Sequence, residues 1–379
     1  MIYFDNSAST FQKPKEVIRA VNEAMIKYTA HPGRSGHKAS LSSAMMIQEV
    51  RSKLKDLYNA ESEQNIIFTS GCSEALNLAI LGTAKRGGHV VCTENEHNST
   101  LRPLEKLKQL GIIEYDIAFQ KDCGKLTVED IKKHVKSNTY MIICNHISNV
   151  NGDKAEIEKI GAFCKEKGFL FLVDGAQSGG HELVDMQKCN IDFLSLAPHK
   201  GFYACQGVGV LIARNLDTLE PIKFGGTGTN SLELWQPSIY PERFEVGTLP
   251  STAIASLNAG IDFITRNFYV IKEKIDDLTT FLHYSLSSLP VKIYTSPLNS
   301  SGVLAYNVGN IHSNEISSYL DEKWNICVRG GYHCAPKKHE ALKTLEQGAI
   351  RVSLSYFNNI NEIQHLISAT KHILKKYKA

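Results

Sequence analysis

Leu194–Leu211, LSLAPHKGFYACQGVGVL, decides how the rest of the chain is read. A short apolar run, Ile191–Leu196, ends in Ala-Pro-His-Lys; a turn rich in glycine and aromatic residues follows, and Val208–Ala213 is a second apolar run. This pattern places Lys200 on a loop at the end of a buried strand. A solvated lysine is protonated, with a reference pKa of about 10.4, and is no nucleophile. Among apolar neighbours and beside another cation it loses its proton more readily, which imine chemistry requires. Upstream, Phe169–Ser178, FLFLVDGAQS, reads as another buried strand ending in an acid, Asp174.

An amine and a carboxylate at two strand ends of one sheet suit pyridoxal phosphate. That cofactor serves as an electron sink while its ring nitrogen stays protonated, which a neighbouring carboxylate ensures, and a lysine holds its aldehyde. Further parts lie on either side. Asn65–Thr69 reads as a strand, and Ser70-Gly-Cys-Ser opens the helix after it. Small residues at such a turn leave backbone N–H groups free at the positive end of a helix dipole, the physics of a phosphate cradle. Gly71, Cys72 and Ser73 are the candidates. Gly88–Thr93 is a strand leading to His97, whose imidazole can stack on a flat heteroaromatic ring.

The alternation continues, with a helix near Pro103–Gln109, a strand near Ile113–Ala118 and a helix from the Thr127 cap to Val135. Strand Thr139–Cys144, helix Glu156–Lys167 and strand Phe169–Val173 complete it. Such alternation predicts an α/β fold with a mainly parallel sheet covered by helices on both faces. Ligands of such sheets gather at the carboxyl ends of the strands. Asn149, Asp174, Gln177 and Lys200 all follow strands and should converge on one edge. Beyond them, helices are expected over about Ser251–Arg266 and Val270–Ser288, then short strands and helices suggesting a smaller α+β domain. The expected division is a large domain, 13–255, and a small one formed by 1–12 with 256–379.

The 379 residues, 42% hydrophobic and 21% charged, supply enough apolar material for a sizeable core. A net charge of +3 gives no strong attraction to nucleic acid or an anionic membrane. No apolar run approaches the roughly 18 residues of a membrane span, and the first residues lack the pattern of a signal peptide. Nine cysteines without a CxxC motif suggest neither a disulfide framework nor a zinc site. The reduced cytoplasm is the expected location. The glycine-rich stretch Ala30–Ser40, carrying Arg34 and His37, reads as a lip offering cations to an anionic substrate.

Together the motifs SGCSEALN, EHNST, HISNVNG, VDGAQS, APHK, FEVGT, RGGYHCAP and AIRVSLSYFN resemble the class V aminotransferase fold family. Within it they look like the cysteine desulfurases, nearer the SufS/selenocysteine-lyase branch. The resemblance covers Tyr3 to about Lys376. It implies a pyridoxal-phosphate transferase of fold type I, a homodimer, acting on L-cysteine or L-selenocysteine and passing the chalcogen to an acceptor protein. Iron–sulfur cluster assembly is one pathway it implies. Carried across by motif, Lys200 would bind the cofactor aldehyde and Asp174 its ring nitrogen. His97 would stack on the ring, with Gln177 and Asn149 at its phenolate oxygen. Cys72, Ser73 and His199 would hold the phosphate, and Thr248 would reach the phosphate bound by a neighbouring subunit. Arg351 would clamp the substrate carboxylate, with Asn149, Arg34, His37 and Arg329 beside the substrate.

Cys334 selects the reaction. Glycines and a proline bracket it in VRGGYHCAP, with Arg329 and His333 nearby in sequence. Adjacent cations favour the thiolate, the nucleophilic form. The family's chemistry then makes Cys334 the persulfide carrier. Two alternatives remain open from the sequence, a selenocysteine lyase and a non-catalytic scaffold that keeps the fold. Ala197 stands where the family usually has serine or threonine, and Cys72 where threonine is common, so weaker cofactor affinity is expected. The segment after Cys334, PKKHEALKTLEQ, is charged and individual.

Overall fold

The computed structural model describes residues 1–33, 36–121, 125–299 and 301–377. Strand β1 (Ile2–Tyr3) is followed by helices α1 (Lys15–Lys27) and α2 (Lys38–Tyr58). Then come β2 (Ile66–Thr69), α3 (Cys72–Gly82), β3 (Gly88–Thr93), α4 (Asn98–Gln109) and β4 (Ile113–Ala118). The middle of the chain holds β5 (Lys125–Leu126), α5 (Val128–Lys132), β6 (Thr139–Asn145), β7 (Lys154–Ala155) and α6 (Ile157–Lys167). Strands β8 (Leu170–Asp174), β9 (Phe193–Leu196) and β10 (Gly209–Ala213) precede the long helix α7 (Ser251–Ser287). The remainder forms β11 (Lys292–Ile293), β12 (Val303–Asn307), α8 (Ser313–Trp324), β13 (Ile326–Cys327), α9 (Pro336–Ala341), β14 (Ile350–Ser353) and α10 (Ile360–Tyr377).

The central sheet has seven strands in the order β2-β10-β9-β8-β6-β3-β4. Strands β9, β8, β6, β3 and β4 run parallel, while β10 lies antiparallel to both β9 and β2. Reversing twice, β2 regains the common direction. The carboxyl ends of β2, β3, β6, β8 and β9 therefore share one edge, as the sequence implied. Apolar strands buried on both faces need cover on both. Ile66, Phe68, Ile142, Phe171 and Val173 turn to one apolar layer with α2, α6 and the first half of α7. Ile67, Val90, Met141, Ile143 and Leu172 turn to the other, with α3 and α4.

A third core joins Phe4, Leu304, Tyr306, Ile350 and Val352 to α8, α10 and the second half of α7. Position 255, the expected end of the large domain, lies inside α7. Residues of α7 through Ile275 pack in the first layer, and Leu278, Leu282 and Leu286 pack in the third core. The two helices expected over Ser251–Arg266 and Val270–Ser288 are thus one. No glycine or proline separates them, and the Asn267 amide turns back on the helix, donating to the Phe263 carbonyl at 2.8 Å. Helix α4 starts five residues before the expected Pro103, because His97 caps it by accepting from Ser99 N–H at 3.0 Å. Among the described residues no helix is long and apolar enough to cross a membrane.

Candidate active site

Asp174 is the last residue of β8, paired in register with Asn145 of β6 and Ser195 of β9. Its carboxylate accepts from Asn145 Nδ2 at 3.2 Å, from Ala176 N–H at 2.9 Å and from the Cys72 thiol at 3.8 Å. Three donors on one buried carboxylate satisfy it and fix its direction. Asn145 was missed by the sequence reading, which took Asn149 as the polar residue beyond that strand. Register between β6 and β8 carries the signal, and a single sequence does not display it.

The loop between β9 and β10 is tightly wound. Lys200 N–H donates to Ala197 O at 3.0 Å, Tyr203 N–H to Lys200 O at 2.9 Å, and Ala204 N–H to Pro198 O at 3.1 Å. Burial holds the Lys200 ammonium below the usual lysine range; Cys72 and Asp174 pull it up, and Arg351 and Arg329 push it down. Two cations, Arg351 and Arg329, thus lie near the amine, together with the Asp174 acid and the Cys72 thiol. His199 carries a buried Nδ1 without a hydrogen bond, and burial holds its pKa at about 4.

At the start of α3, Gly71 offers no side-chain cap, and a Cβ built there would meet nothing within 4 Å. The N–H groups of Cys72 and Ser73 are among the first four of the helix, which have no intrahelical partner. Ser73 Oγ lies 2.7 Å from Ser99 Oγ, at the start of α4. His97 sits between these two helix starts and β3; burial lowers its pKa to about 4, so the ring is neutral at pH 7. A neutral ring suits stacking.

Arg351, on β14, is buried against the same edge. Its Nη1 donates to Asn149 O at 2.9 Å, and its Nη2 pairs with the Asp5 carboxylate. Asp5 was not foreseen; it lies in the first segment of the chain and meets β14 only through tertiary folding. Arg329 bridges Arg351 through the backbone, with Arg351 N–H donating to Arg329 O at 2.8 Å. Gln177 Nε2 donates to Ser7 O at 3.1 Å, which ties the N-terminal segment to the residues after β8.

Cys334 is joined to this edge by its backbone. Its carbonyl accepts from Asn98 N–H at 2.7 Å, and the carbonyl of His333 accepts from Asn149 Nδ2 at 2.6 Å. Arg329 Nη2 lies 3.8 Å from the Cys334 sulfur. The sequence placed two cations near the thiol, and the structure corrects this to one. His333 is buried, its Nε2 is 3.0 Å from Ala349 O, and burial holds its pKa well below the usual histidine range. It is a neutral structural group.

Two further candidates do not join the edge. Thr248 is exposed, and His37 is exposed and caps α2 by accepting from Ser40 N–H at 3.1 Å. Among the described residues neither has a hydrogen bond or ion pair to Lys200, Asp174, Arg351 or Cys334. Arg34 lies outside the described residues.

The residues at the edge fit pyridoxal phosphate. An acid, an amine and a neutral imidazole lie within electrostatic reach of one another at this edge, and the start of α3 lies beside them. Asn149 Oδ1, His199 Nδ1 and Arg351 Nε are buried polar atoms with no partner, the condition expected of groups that await a polar ligand.

The aminotransferase class-V family model matches residues 2–366. The chain belongs to that family. A probable cysteine desulfurase of Pyrococcus abyssi is 33% identical, over 100% of this chain and 96% of the relative. Another, from Methanothermobacter thermautotrophicus, is 34% identical over 96% and 92%. The apo structure of a cysteine desulfurase from Thermococcus onnurineus superposes with a TM-score of 0.92 at 32% identity, covering 99% of this chain and 95% of that one. The family assignment agrees with the mixed α/β architecture and mainly parallel sheet, and with the family's use of pyridoxal phosphate.

Proposed function

We propose that this chain is a pyridoxal-phosphate-dependent cysteine desulfurase, converting L-cysteine to L-alanine and leaving a persulfide on Cys334. The observation that carries this is the hydrogen bond from Asn98 N–H to the Cys334 carbonyl at 2.7 Å. It docks the thiol loop beside His97, on the cofactor edge. The full-length similarity to cysteine desulfurases supports the same reading.

Bound pyridoxal phosphate would supply an electron sink for breaking the Cα–H bond. Asp174 would keep its ring nitrogen protonated, His97 would cover one ring face, and Asn149 and Gln177 would bound the ring's edge. Cys72 and Ser73, with His199, would hold the phosphate. Arg351 and Arg329 outnumber the Asp5 carboxylate by one positive charge, which suits a substrate carboxylate. Lys200, short of its usual basicity, would both bind the cofactor and move the Cα proton. Cys334 thiolate then attacks the substrate sulfur. An S–S bond forms, the Cβ–S bond breaks with its electron pair left on carbon, and protonation of that carbon yields alanine.

Thr248 and the exposed apolar segment containing Leu232, Leu234 and Trp235 suit a homodimer, in which Thr248 reaches the neighbouring phosphate. Arg34 and His37 would then serve as a lip over the substrate. Of the expected 13–255 and 1–12 plus 256–379 division, the Cys334 loop would belong to the smaller unit, whose core takes up α7 only after Ile275. A cytoplasmic setting suits the eight cysteines among the described residues, all of them free. The persulfide would pass to an acceptor protein, with iron–sulfur cluster assembly as one destination.

The test is persulfide labelling after a single turnover with L-cysteine, with the labelled residue located by mass spectrometry. Label on residue 334, lost in Cys334→Ala together with alanine release, is the expected result. Full cysteine activity in Cys334→Ala sinks the persulfide reading; full activity with selenocysteine alone assigns the enzyme to selenium instead.

A further inference from the structure

The charged segment following Cys334 contributes a lysine that is fully buried. Lys338, in the first turn of α9, has its ammonium 2.9 Å from Glu94 Oε1 and 2.9 Å from Asp153 Oδ2. Side-chain exposure is 0% for Lys338, 1% for Glu94 and 2% for Asp153. Taking three charges out of water is costly, and such a cluster is weak ground for stability by itself. Its better-attested use is to fix one arrangement among several.

The partners identify what is fixed. Glu94 follows β3 directly and lies three residues before His97. Asp153 lies four residues after Asn149, just ahead of β7. Gln120 ties the two acids together, its N–H donating to Glu94 Oε2 at 3.1 Å and its Nε2 to Asp153 Oδ2 at 3.0 Å. Asn151 Nδ2 also donates to Asp153 Oδ2, at 2.9 Å. Lys338 thus grips the two segments that hold the Cys334 loop from the other side, through Asn98 to Cys334 O and Asn149 to His333 O. Two neutral hydrogen bonds and one charged clamp triangulate the loop. Among the described residues neither Lys338 nor its acids bonds Lys200 or Asp174.

We infer that Lys338, with Glu94 and Asp153, is a positioning residue for sulfur transfer: it sets where Cys334 stands beside His97 and Asn149 without entering the chemistry at Lys200. This rests on the desulfurase reading above. It separates two half-reactions that one enzyme performs. Exchange of the L-alanine Cα hydrogen with solvent deuterium needs only the Lys200 side. Persulfide formation from L-cysteine needs the thiol in place.

Both are measured on the cofactor-loaded enzyme, for wild type, for Lys338→Met, and for Lys338→Met combined with Glu94→Gln and Asp153→Asn. The combined variant removes the stranded carboxylates and keeps a measurable protein if the single variant does not fold. A displacement of about an ångström slows a reaction roughly 10- to 100-fold, so persulfide formation should fall by that range while alanine exchange stays within about threefold. If the two rates fall together in both variants, Lys338 is structural only and the inference is overturned. Unchanged persulfide formation overturns it as well. A wild type that exchanges alanine yet forms no persulfide defeats the desulfurase reading instead, so the two failures are told apart.

Discussion

Lys200 and Cys334 are held in opposite ways. Lys200 sits in a compact loop between two central strands, and its surroundings follow from strand order: Asp174 on the next strand, Cys72 beyond the end of β2. Cys334 belongs to a loop with two consecutive left-handed residues, His333 (φ 49°) and Cys334 (φ 58°). That conformation costs non-glycine residues on the order of 1 kcal/mol or more each, so tertiary contacts must impose it. Bonds from Asn98 and Asn149 and the Lys338 clamp provide them. The sheet edge is a property of the topology, whereas the thiol is an attachment held by long-range ties. The two should therefore fail separately when mutated.

The largest effect is expected at the sheet edge. Lys200→Ala removes the group proposed both to bind the cofactor and to move the Cα proton. Alanine exchange and desulfuration should each fall by at least 10²- to 10⁴-fold, the usual worth of a positioned acid–base group. Borohydride should also no longer fix the cofactor onto residue 200. Persistent alanine exchange in this variant would mean that another base serves the edge, and the comparison breaks.

Arg351 touches both regions, since it contacts Asn149 O and bridges Arg329, whose guanidinium faces the thiol. Both test substrates carry the carboxylate it would bind. Arg351→Lys keeps the charge but loses the two-pronged geometry. A charged hydrogen bond is worth about 1.5–3 kcal/mol, so kcat/KM should drop roughly 10- to 150-fold. The drop should be equal for alanine exchange and for cysteine desulfuration. A loss confined to cysteine would place Arg351 with the thiol loop and not with the substrate carboxylate.

The two regions also differ in how far they can be read from the chain alone. Local patterns outlined the sheet edge, though not Asn145 beside Asp174: apolar runs ending in Asp174 and Lys200, a small-residue turn at Gly71, and alternation implying a shared strand direction. The loop bearing Cys334 was visible as a motif, and its supports were not. Lys338 reads as an ordinary surface charge until Glu94 and Asp153, 244 and 185 residues away, are seen against it. Asp5 beside Arg351 is hidden for the same reason, at a separation of 346 residues. His333 looked like a cation because its burial depends on the strands around Ala349. Helix α7 was divided in the sequence reading because its buried face changes partners midway, from one core to another, while its backbone continues.

The smallest effect concerns Glu96, a buried carboxyl of the sheet-edge region. It accepts from Asn145 N–H at 2.7 Å and from Thr93 Oγ1 at 2.6 Å, and burial pushes it up to about 7. The histidines of both regions shift the other way: burial holds His97, His199 and His339 at about 4. Neutral histidines contribute stability that is present above about 6.5 and lost as pH falls toward 4. Glu96 binds its proton more tightly folded than unfolded, so its contribution is full below about 4.5 and lost as pH rises toward 7. Glu96→Gln keeps the acceptor oxygen and removes the titration. Relative to wild type, the variant should therefore gain roughly 1.5 kcal/mol between pH 5.5 and pH 7 by urea denaturation. Alanine exchange and persulfide formation should change little. An equal gap at the two pH values would mean that Glu96 titrates normally, and that the sheet edge carries no acid of opposite sign to the histidines around it.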